Sequence, residues 1–444
     1  MADSKITALD NLTAADPVND MFPIVDVSDT TMAASGTTKR ISANNILSSS
    51  PTASGALTVT GKVTANTNIE ITRGLLNDGT STGVGATALA ATTAGATGNT
   101  AVGYQAMYRA TTGASNVAIG NSPLSAAAMT GSNNVAIGVS PLNATTSGSS
   151  NIAIGNEAGQ GVTTAAGNVF LSTRSGKSAS AITGGDNIGI GGDTFRNLTS
   201  GATNVAIGNS AANALTTGGY NTYIGTDSGK GNLTGITNVA VGFSSLQKAT
   251  VSNLTAVGAY ALQENTSGIQ NTAVGRAALS LITTNSDSTA LGYQAGKNTT
   301  GGSNTAIGSN AFTLGTTAEG ITAVGCQSLG LAITTGSYST ALGFNSGSAL
   351  TSGAGNTFLG VDAGSTTTTG SSNICLGRGA ATEAVGSSNS ISIGSSSQYV
   401  GTVSNATGYY TSATAILTGV LPATCGFWRV IINGTARKIP VYAD

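Results

Sequence analysis

Five charged residues stand at equivalent places in a recurring sequence phrase, and they are the first candidates for chemistry. Glu157, Arg174, Asp193, Asp227 and Asp362 each lie two residues after the closing position of that phrase. Two carboxylates on either side of a sugar can act as the acid and base of a glycosidase. The alternative is a row of surface ion pairs, which contributes little to stability. Because aromatic residues that would seat a sugar are few in this region, we favour the ion-pair interpretation.

Two short glycine-containing segments could hold phosphate groups, but each lacks a required feature. Ser175–Ser178 (SGKS) matches the end of a phosphate-binding loop, yet Leu171 stands where that loop needs a glycine. Gly189–Gly192 (GIGG) is not predicted to open a helix, as a dinucleotide-binding segment must. We therefore expect neither segment to bind a nucleotide.

Histidine and cysteine chemistry is also limited. The chain has no histidine and three cysteines, so it lacks a Ser-His-Asp triad, a Cys-His pair and histidine-ligated metals. Cys326, Cys375 and Cys425 are too widely spaced for a metal-ligand pair, and we expect Cys375 to lie in the core. The sequence thus predicts a protein that is not an enzyme and that holds no cofactor or metal.

Composition excludes two classes of partner. The 444 residues include 63 glycines, about twice the usual share, but only 17 basic and 18 acidic residues. A net charge of −1 gives no electrostatic attraction to nucleic acid or to anionic membranes. Since no apolar run reaches the roughly 18 residues that a membrane span needs, we predict no membrane insertion.

The elements that must position these residues come from an internal repeat. The phrase Asn-(Thr/Val/Ile)-Ala-(Ile/Val)-Gly recurs in varied form, and its closing position occurs 19 times between Gly85 and Gly394, with Ser172 replacing the glycine once. The 18 intervals span 309 residues, so the mean period is about 17 residues. Short β-branched segments separated by glycines are typical of β-strands joined by tight turns.

This period predicts an all-β fold, a repetitive β-solenoid or β-roll of about 19 coils over residues 81–398. Strands about 4.8 Å apart would build a rod on the order of 90 Å long. Ile119, Ile137 and Ile154 precede three successive closing glycines and should stack along the rod. We expect the inward residues to be mostly Ala, Val and Ile. So thin a core favours packing of three chains around a shared axis, a homotrimer.

Asparagine occupies the position four residues before the closing residue in 13 of the 19 repeats. Stacked amides such as those of Asn116, Asn134 and Asn151 can hydrogen-bond along the rod as a structural ladder. Alternatively, each asparagine only begins its strand as a turn residue. Neither interpretation makes the column a catalytic site.

Two repeats carry a resemblance to known families. Asn204–Gly208 (NVAIG) and Asn271–Leu279 (NTAVGRAAL) resemble the heads of trimeric autotransporter adhesins of the YadA type and the repeats of phage tail-fibre proteins. The resemblance covers roughly residues 81–398 and implies a trimeric β-roll that takes part in adhesion. The ends favour the phage group, because neither a signal peptide nor a membrane-anchoring β-barrel segment is evident.

The amino-terminal segments resemble the start of many phage fibre proteins. Residues 1–50 are interpreted as a virion-attachment segment, with candidate docking residues Phe22, Ile24, Val25, Lys39 and Arg40. The alternative is a disordered leader, which is common at chain termini. Residues 51–80 alternate like a strand and are predicted to form a β connector into the first coil.

Residues 399–444 differ from the repeats and are predicted to contain a β-hairpin around Asn433-Gly434. One interpretation is a cap that closes the open edge of the solenoid. The other is a receptor-binding tip, since Trp and Arg favour interface hot spots. The candidate tip contacts are Trp428, Arg429, Arg437, Lys438 and Tyr442.

Together these features predict a structural virion fibre, a phage tail fibre that mediates attachment to the host cell. Its expected partners are two further copies of itself, a tail, baseplate or capsid protein, and a host surface glycan or protein. We expect it on the virion surface, after synthesis in the host cytoplasm without a signal peptide. A capsid decoration fibre and a bacterial surface adhesin are alternatives, and a polysaccharide depolymerase is the least favoured.

Overall fold

The computed structural model describes residues 80–90, 95–126, 128–382 and 384–394, and the backbone of 401–402, 427–432 and 435–440. Every regular element in these ranges is a β-strand. The strands are β1 Thr82–Val84, β2 Thr100–Val102, β3 Val117–Asn121, β4 Val135–Val139, β5 Ile152–Ile154, β6 Val169–Leu171, β7 Ile188–Ile190, β8 Val205–Ile207, β9 Thr222–Ile224, β10 Val239–Val241, β11 Thr255–Val257, β12 Thr272–Val274, β13 Thr289–Leu291, β14 Thr305–Ile307, β15 Thr322–Val324, β16 Thr340–Leu342, β17 Thr357–Leu359, β18 Ile374–Leu376, β19 Ser390–Ile393, β20 Gly401–Thr402, β21 Phe427–Ile432 and β22 Thr435–Pro440.

Strands β1 to β19 stack in chain order, each parallel to the next. Equivalent positions of the repeat lie opposite one another, so that Ile119 pairs with Ile137 and Ile137 with Ile154. The 19 strands therefore form one continuous parallel sheet with one strand per coil. The predicted β-solenoid, with its period of about 17 residues, is confirmed.

The prediction that Val and Ile join Ala in the core is wrong for the strands. The central alanine of each short strand points inward, and Ala118, Ala136 and Ala153 are fully buried. The flanking aliphatic residues point outward, with Ile119 38% and Ile154 41% exposed. Side chains alternate along a strand, so when the central residue of three points inward, both flanking residues must point outward. Leucine and aromatic residues of the segment after the strand, such as Leu142, fill the rest of the core.

Large core residues are accommodated by glycines of the same coil and of the preceding one. Phe170 occupies an inward strand position where most coils have alanine. A Cβ added at Gly176 would lie 2.7 Å from the Phe170 ring, and one at Gly159 would lie 3.1 Å from it. Glycine four residues after the closing position therefore makes room for an aromatic ring. A large residue at the inward strand position leaves room only for a small one nearby. The position four residues after the closing residue therefore alternates between large residues and glycine or alanine.

The closing glycine is required by the turn that follows the strand. Gly138 has φ +133°, and a Cβ there would lie 2.6 Å from the carbonyl oxygen of Gly155 in the next coil. A side chain at this position is therefore disfavoured by both backbone conformation and close approach. Ser172 is the exception and adopts φ 107°.

Two elements follow the parallel stack. Strand β20 pairs antiparallel with β19, with Thr402 opposite Ser390. Strands β21 and β22 form a separate antiparallel pair, with Ile432 opposite Thr435. The hairpin predicted around residues 433–434 is thus present in the backbone. The predicted attachment segment, residues 1–50, and the predicted connector up to residue 79 lie outside the described residues.

Candidate functional surfaces

The asparagine column forms a buried ladder of amide hydrogen bonds. The Nδ2 of Asn134 donates to Oδ1 of Asn116 at 3.1 Å and to the carbonyl oxygen of Gly148 at 2.9 Å. Its Oδ1 accepts from the backbone N of Asn151 at 2.9 Å and from Nδ2 of Asn151 at 3.1 Å. Both hydrogens and both acceptor sites of this amide are therefore satisfied. The ladder interpretation describes the contacts, and the column holds coils together.

The ladder is continuous only in the first part of the solenoid. Amide-to-amide bonds link eight successive coils from Asn99 to Asn221. Beyond Asn238 the column is interrupted by residues without an amide, which are Leu254, Ser288, Ile321, Ser339 and Ser390.

The charged residues considered for catalysis form ion pairs on the surface. Arg174 donates from Nε and Nη2 to the carboxylate of Asp193 at 2.9 and 2.7 Å, and Arg196 binds the same carboxylate at 2.6 Å. These bonds hold the pKa of Asp193 below its ordinary value, chiefly through Arg174. A glycosidase acid needs the opposite shift. Glu157 pairs with Lys177 at 2.6 Å.

The other two members of that set also have polar partners. Asp227 pairs with Lys230 at 3.0 Å, and Asp362 accepts a hydrogen bond from Nδ2 of Asn345 at 2.8 Å. The arrangement matches the favoured ion-pair interpretation. Lys177 belongs to the SGKS segment. Its ion pair with Glu157 gives this lysine a partner within the chain, so no bound phosphate is needed to account for it.

The outward residues of the strands form a strip that we call the aliphatic face. Its members with more than a third of their surface exposed lie in coils along the whole solenoid and are 36–48% exposed. They are Val84, Val102, Ile119, Ile152, Ile154, Ile188, Ile190, Ile224, Val239, Leu291, Leu342, Leu359, Ile374, Leu376 and Ile393. A row of partly exposed aliphatic residues of this length is a candidate interaction surface.

Four residues on successive coils form a second exposed cluster, which we call the aromatic column: Phe243, Tyr260, Arg276 and Tyr293. The rings of Phe243 and Tyr260 meet edge to face, with centroids 5.3 Å apart. The guanidinium carbon of Arg276 lies 5.7 Å from the centroids of both Tyr260 and Tyr293. Phe243 and Tyr293 are 46% and 45% exposed. This cluster was not predicted from the sequence, although Phe243 and Tyr293, each directly after a closing glycine, were a visible signal.

The predicted tip and docking residues are only partly described. In the hairpin backbone, Trp428 lies opposite Ile439, Arg429 opposite Lys438, and Arg437 opposite Val430. Tyr442 lies outside the described residues. So do the docking candidates Phe22, Ile24, Val25, Lys39 and Arg40.

The described residues include two of the three cysteines. Cys375 is buried in an inward strand position, as expected, and burial raises the pKa of its thiol to about 11. Cys326 is exposed, and Cys425 lies outside the described residues.

Within the ranges that the structure covers, no three acidic or cysteine side chains cluster as metal ligands would. The same ranges contain no helix with the length and hydropathy needed to cross a bilayer.

Comparison with known proteins adds no family assignment, since no protein-family model, curated protein or solved structure matches this chain.

Proposed function

We propose that this protein is a structural fibre of a virion, a phage tail fibre that attaches the particle to its host cell. The observation that carries the proposal is the in-register stack of 19 parallel strands. Such a stack provides length and stiffness, because each coil contacts its neighbours along one direction. Its nearly neutral surface, rich in small polar residues, limits nonspecific adsorption.

The proposed fibre is a homotrimer in which the aliphatic face is covered by two further copies of the chain. The residue before the closing position is Val, Ile or Leu in all 19 repeats, so the face has the period of the coil. Another solenoid with the same strand spacing can match that periodicity over its full length, whereas a globular partner would cover only part of it. Closed cyclic symmetry then lets identical faces pack around one axis.

A change of mass in solution tests the proposed assembly. The full chain has a mass of 43.1 kDa, so light scattering should give three times that value. Ile154→Lys and Ile190→Lys place charges on the aliphatic face and should shift the protein to monomers. Ile333→Lys is the matched control, because Ile333 is 60% exposed but lies outside the strands. A monomeric wild-type protein would contradict the trimer.

Attachment is tested with particles. In this proposal residues 1–50 bind the tail, baseplate or capsid, and the rest of the chain contacts a host glycan or protein. Particles assembled without the chain should fail to adsorb to host cells. Normal adsorption of such particles would contradict the attachment role and favour a capsid decoration fibre. Cleavage of a host polysaccharide by the purified chain would instead favour a depolymerase.

A further inference from the structure

The aromatic column combines exposed rings with a cation that has no acidic partner among the residues that the structure describes. Arg276 is exposed and forms no ion pair within the described residues, where the ion-paired arginines are Arg174 and Arg196. Its guanidinium lies between the rings of Tyr260 and Tyr293. Cation–π contacts restrain a guanidinium while its N–H groups stay free to bind an anion. The column thus has an ordered anion-binding group that no carboxylate of the described residues occupies.

The rings on either side of Arg276 define the rest of the ligand. Phe243 and Tyr293 each leave nearly half of their surface exposed. Sugar rings pack their C–H faces against aromatic faces, because those faces carry negative charge density. Single-stranded nucleic acid is usually bound in a positively charged groove that follows its backbone, whereas Arg276 is the one cation of the aromatic column. A polymer of acidic sugars can pack the C–H faces of its rings on the aromatic faces and place a carboxylate on Arg276, so it fits the column better.

Spacing along the solenoid points to an extended ligand. Phe243, Tyr260, Arg276 and Tyr293 come from four successive coils, which are stacked about 4.8 Å apart. This step is close to the advance of one sugar in an extended glycan. Successive sugars can therefore meet successive side chains without a pocket.

We propose that the aromatic column binds an anionic polysaccharide, with sugar rings against Phe243 and Tyr293 and a carboxylate on Arg276. This inference rests on the adhesive function proposed above and names its ligand class. It places a binding site on the side of the shaft, in addition to any contact made by the hairpin.

The test uses affinity electrophoresis of the full-length protein in gels that contain alginate, a uronic acid polymer, or dextran, a neutral polymer. Alginate should retard the wild-type protein and dextran should not. Phe243→Ala, Tyr293→Ala and Arg276→Gln should each weaken alginate binding by about tenfold, as expected for truncation of an interface anchor. Thermal unfolding should be unchanged, because these side chains lie on the surface.

Two matched control variants isolate the column. Tyr104 follows a closing glycine and is 53% exposed, but it stands on a distant coil. Arg378 occupies the equivalent position after Gly377 and is exposed. Tyr104→Ala and Arg378→Gln should retain alginate binding.

Each other outcome overturns the inference in an identifiable way. No retardation by alginate, or equal loss in the control variants, removes the site. Equal retardation by dextran removes the role of Arg276. A change of mass by light scattering in the column variants would assign the column to chain–chain contact. If particles without the chain lose adsorption while column variants adsorb normally, the fibre function stands and this site falls.

Discussion

Two stretches of the solenoid share one strand register but differ in their asparagine column. From Asn99 to Asn238 every coil has an asparagine at the buried column position, whereas from Leu254 to Ser390 several coils do not. The strands nevertheless pair identically in both stretches, as in Ala118 opposite Ala136 and Ala323 opposite Ala341. The register is therefore specified by the strand hydrogen bonds and the closing glycines. The amide ladder adds further hydrogen bonds between coils that already have this register.

Serine substitutes for only part of what asparagine does. The Oγ of Ser339 accepts a hydrogen bond from the backbone N of Asn356 at 3.1 Å. It therefore keeps the backbone contact of the ladder but cannot form the amide-to-amide bond seen at Asn134. The aromatic column begins near the place where the ladder becomes irregular. One column points inward and the other outward, so each can vary without the other.

The largest expected effect comes from breaking the continuous ladder. Asn134→Ala leaves the backbone N–H of Asn151 without its acceptor and removes one of the two acceptors of the Asn151 amide. We expect a loss of about 3 kcal/mol in the free energy of unfolding, against about 1 kcal/mol for Ser339→Ala. Urea denaturation, followed by hydrogen exchange of the flanking coils, measures both. Equal losses would contradict a special role for the continuous ladder.

The labelling rates of Cys326 and Cys375 measure local opening of the second stretch. In a Cys425→Ser background, an aromatic disulfide reagent should label exposed Cys326 rapidly. Cys375 should react about a hundredfold more slowly, which corresponds to about 2.7 kcal/mol of local opening. Its burial and raised thiol pKa both oppose thiolate formation. Similar labelling rates would mean that coils around Cys375 open freely.

A smaller effect should come from replacing Ser172, the one closing residue that is not glycine, with glycine. Ser172 adopts φ 107° where the other closing positions are glycine. Ser172→Gly should therefore raise the free energy of unfolding by about 1 kcal/mol. Gly138→Ala is the reverse test and should destabilise, because its Cβ would meet the Gly155 carbonyl oxygen. Destabilisation by Ser172→Gly would show that the serine side chain makes a compensating contact.

The smallest expected effect concerns the ion pair of the first stretch. The pKa of Asp193 is lower in the folded protein than its ordinary value. Its contribution to stability is therefore present above the unfolded pKa and disappears as the pH falls through the folded pKa. Asp193→Asn should slightly lower Tm at pH 6, and this difference should shrink as the pH falls below the ordinary pKa of an aspartate. The difference should shrink in about 1 M salt; a salt-independent difference would contradict an ion-pair origin.

The fold was predictable because one period runs through most of the chain. Positions of Ile119, Ile137 and Ile154 in one stack follow directly from that period, as does the inward position of Cys375. Which side of the strand faces the core does not follow, because both alternate faces are apolar, with alanine on one and valine, isoleucine or leucine on the other. The pairing of Glu157 with Lys177 was also missed, since those residues occupy different positions in their repeats. Contacts between residues at different positions of the repeat depend on the shape of the coil, which the period alone does not specify.

The identical register of every rung has an evolutionary consequence. Because each strand meets its neighbour through the same positions, a duplicated coil of about 17 residues could enter the stack without disturbing the pairs on either side. Gene duplication or loss could therefore change the reach of the protein in increments of about 4.8 Å. Insertions of a few residues would instead be confined to the bends, where the intervals between closing residues already vary.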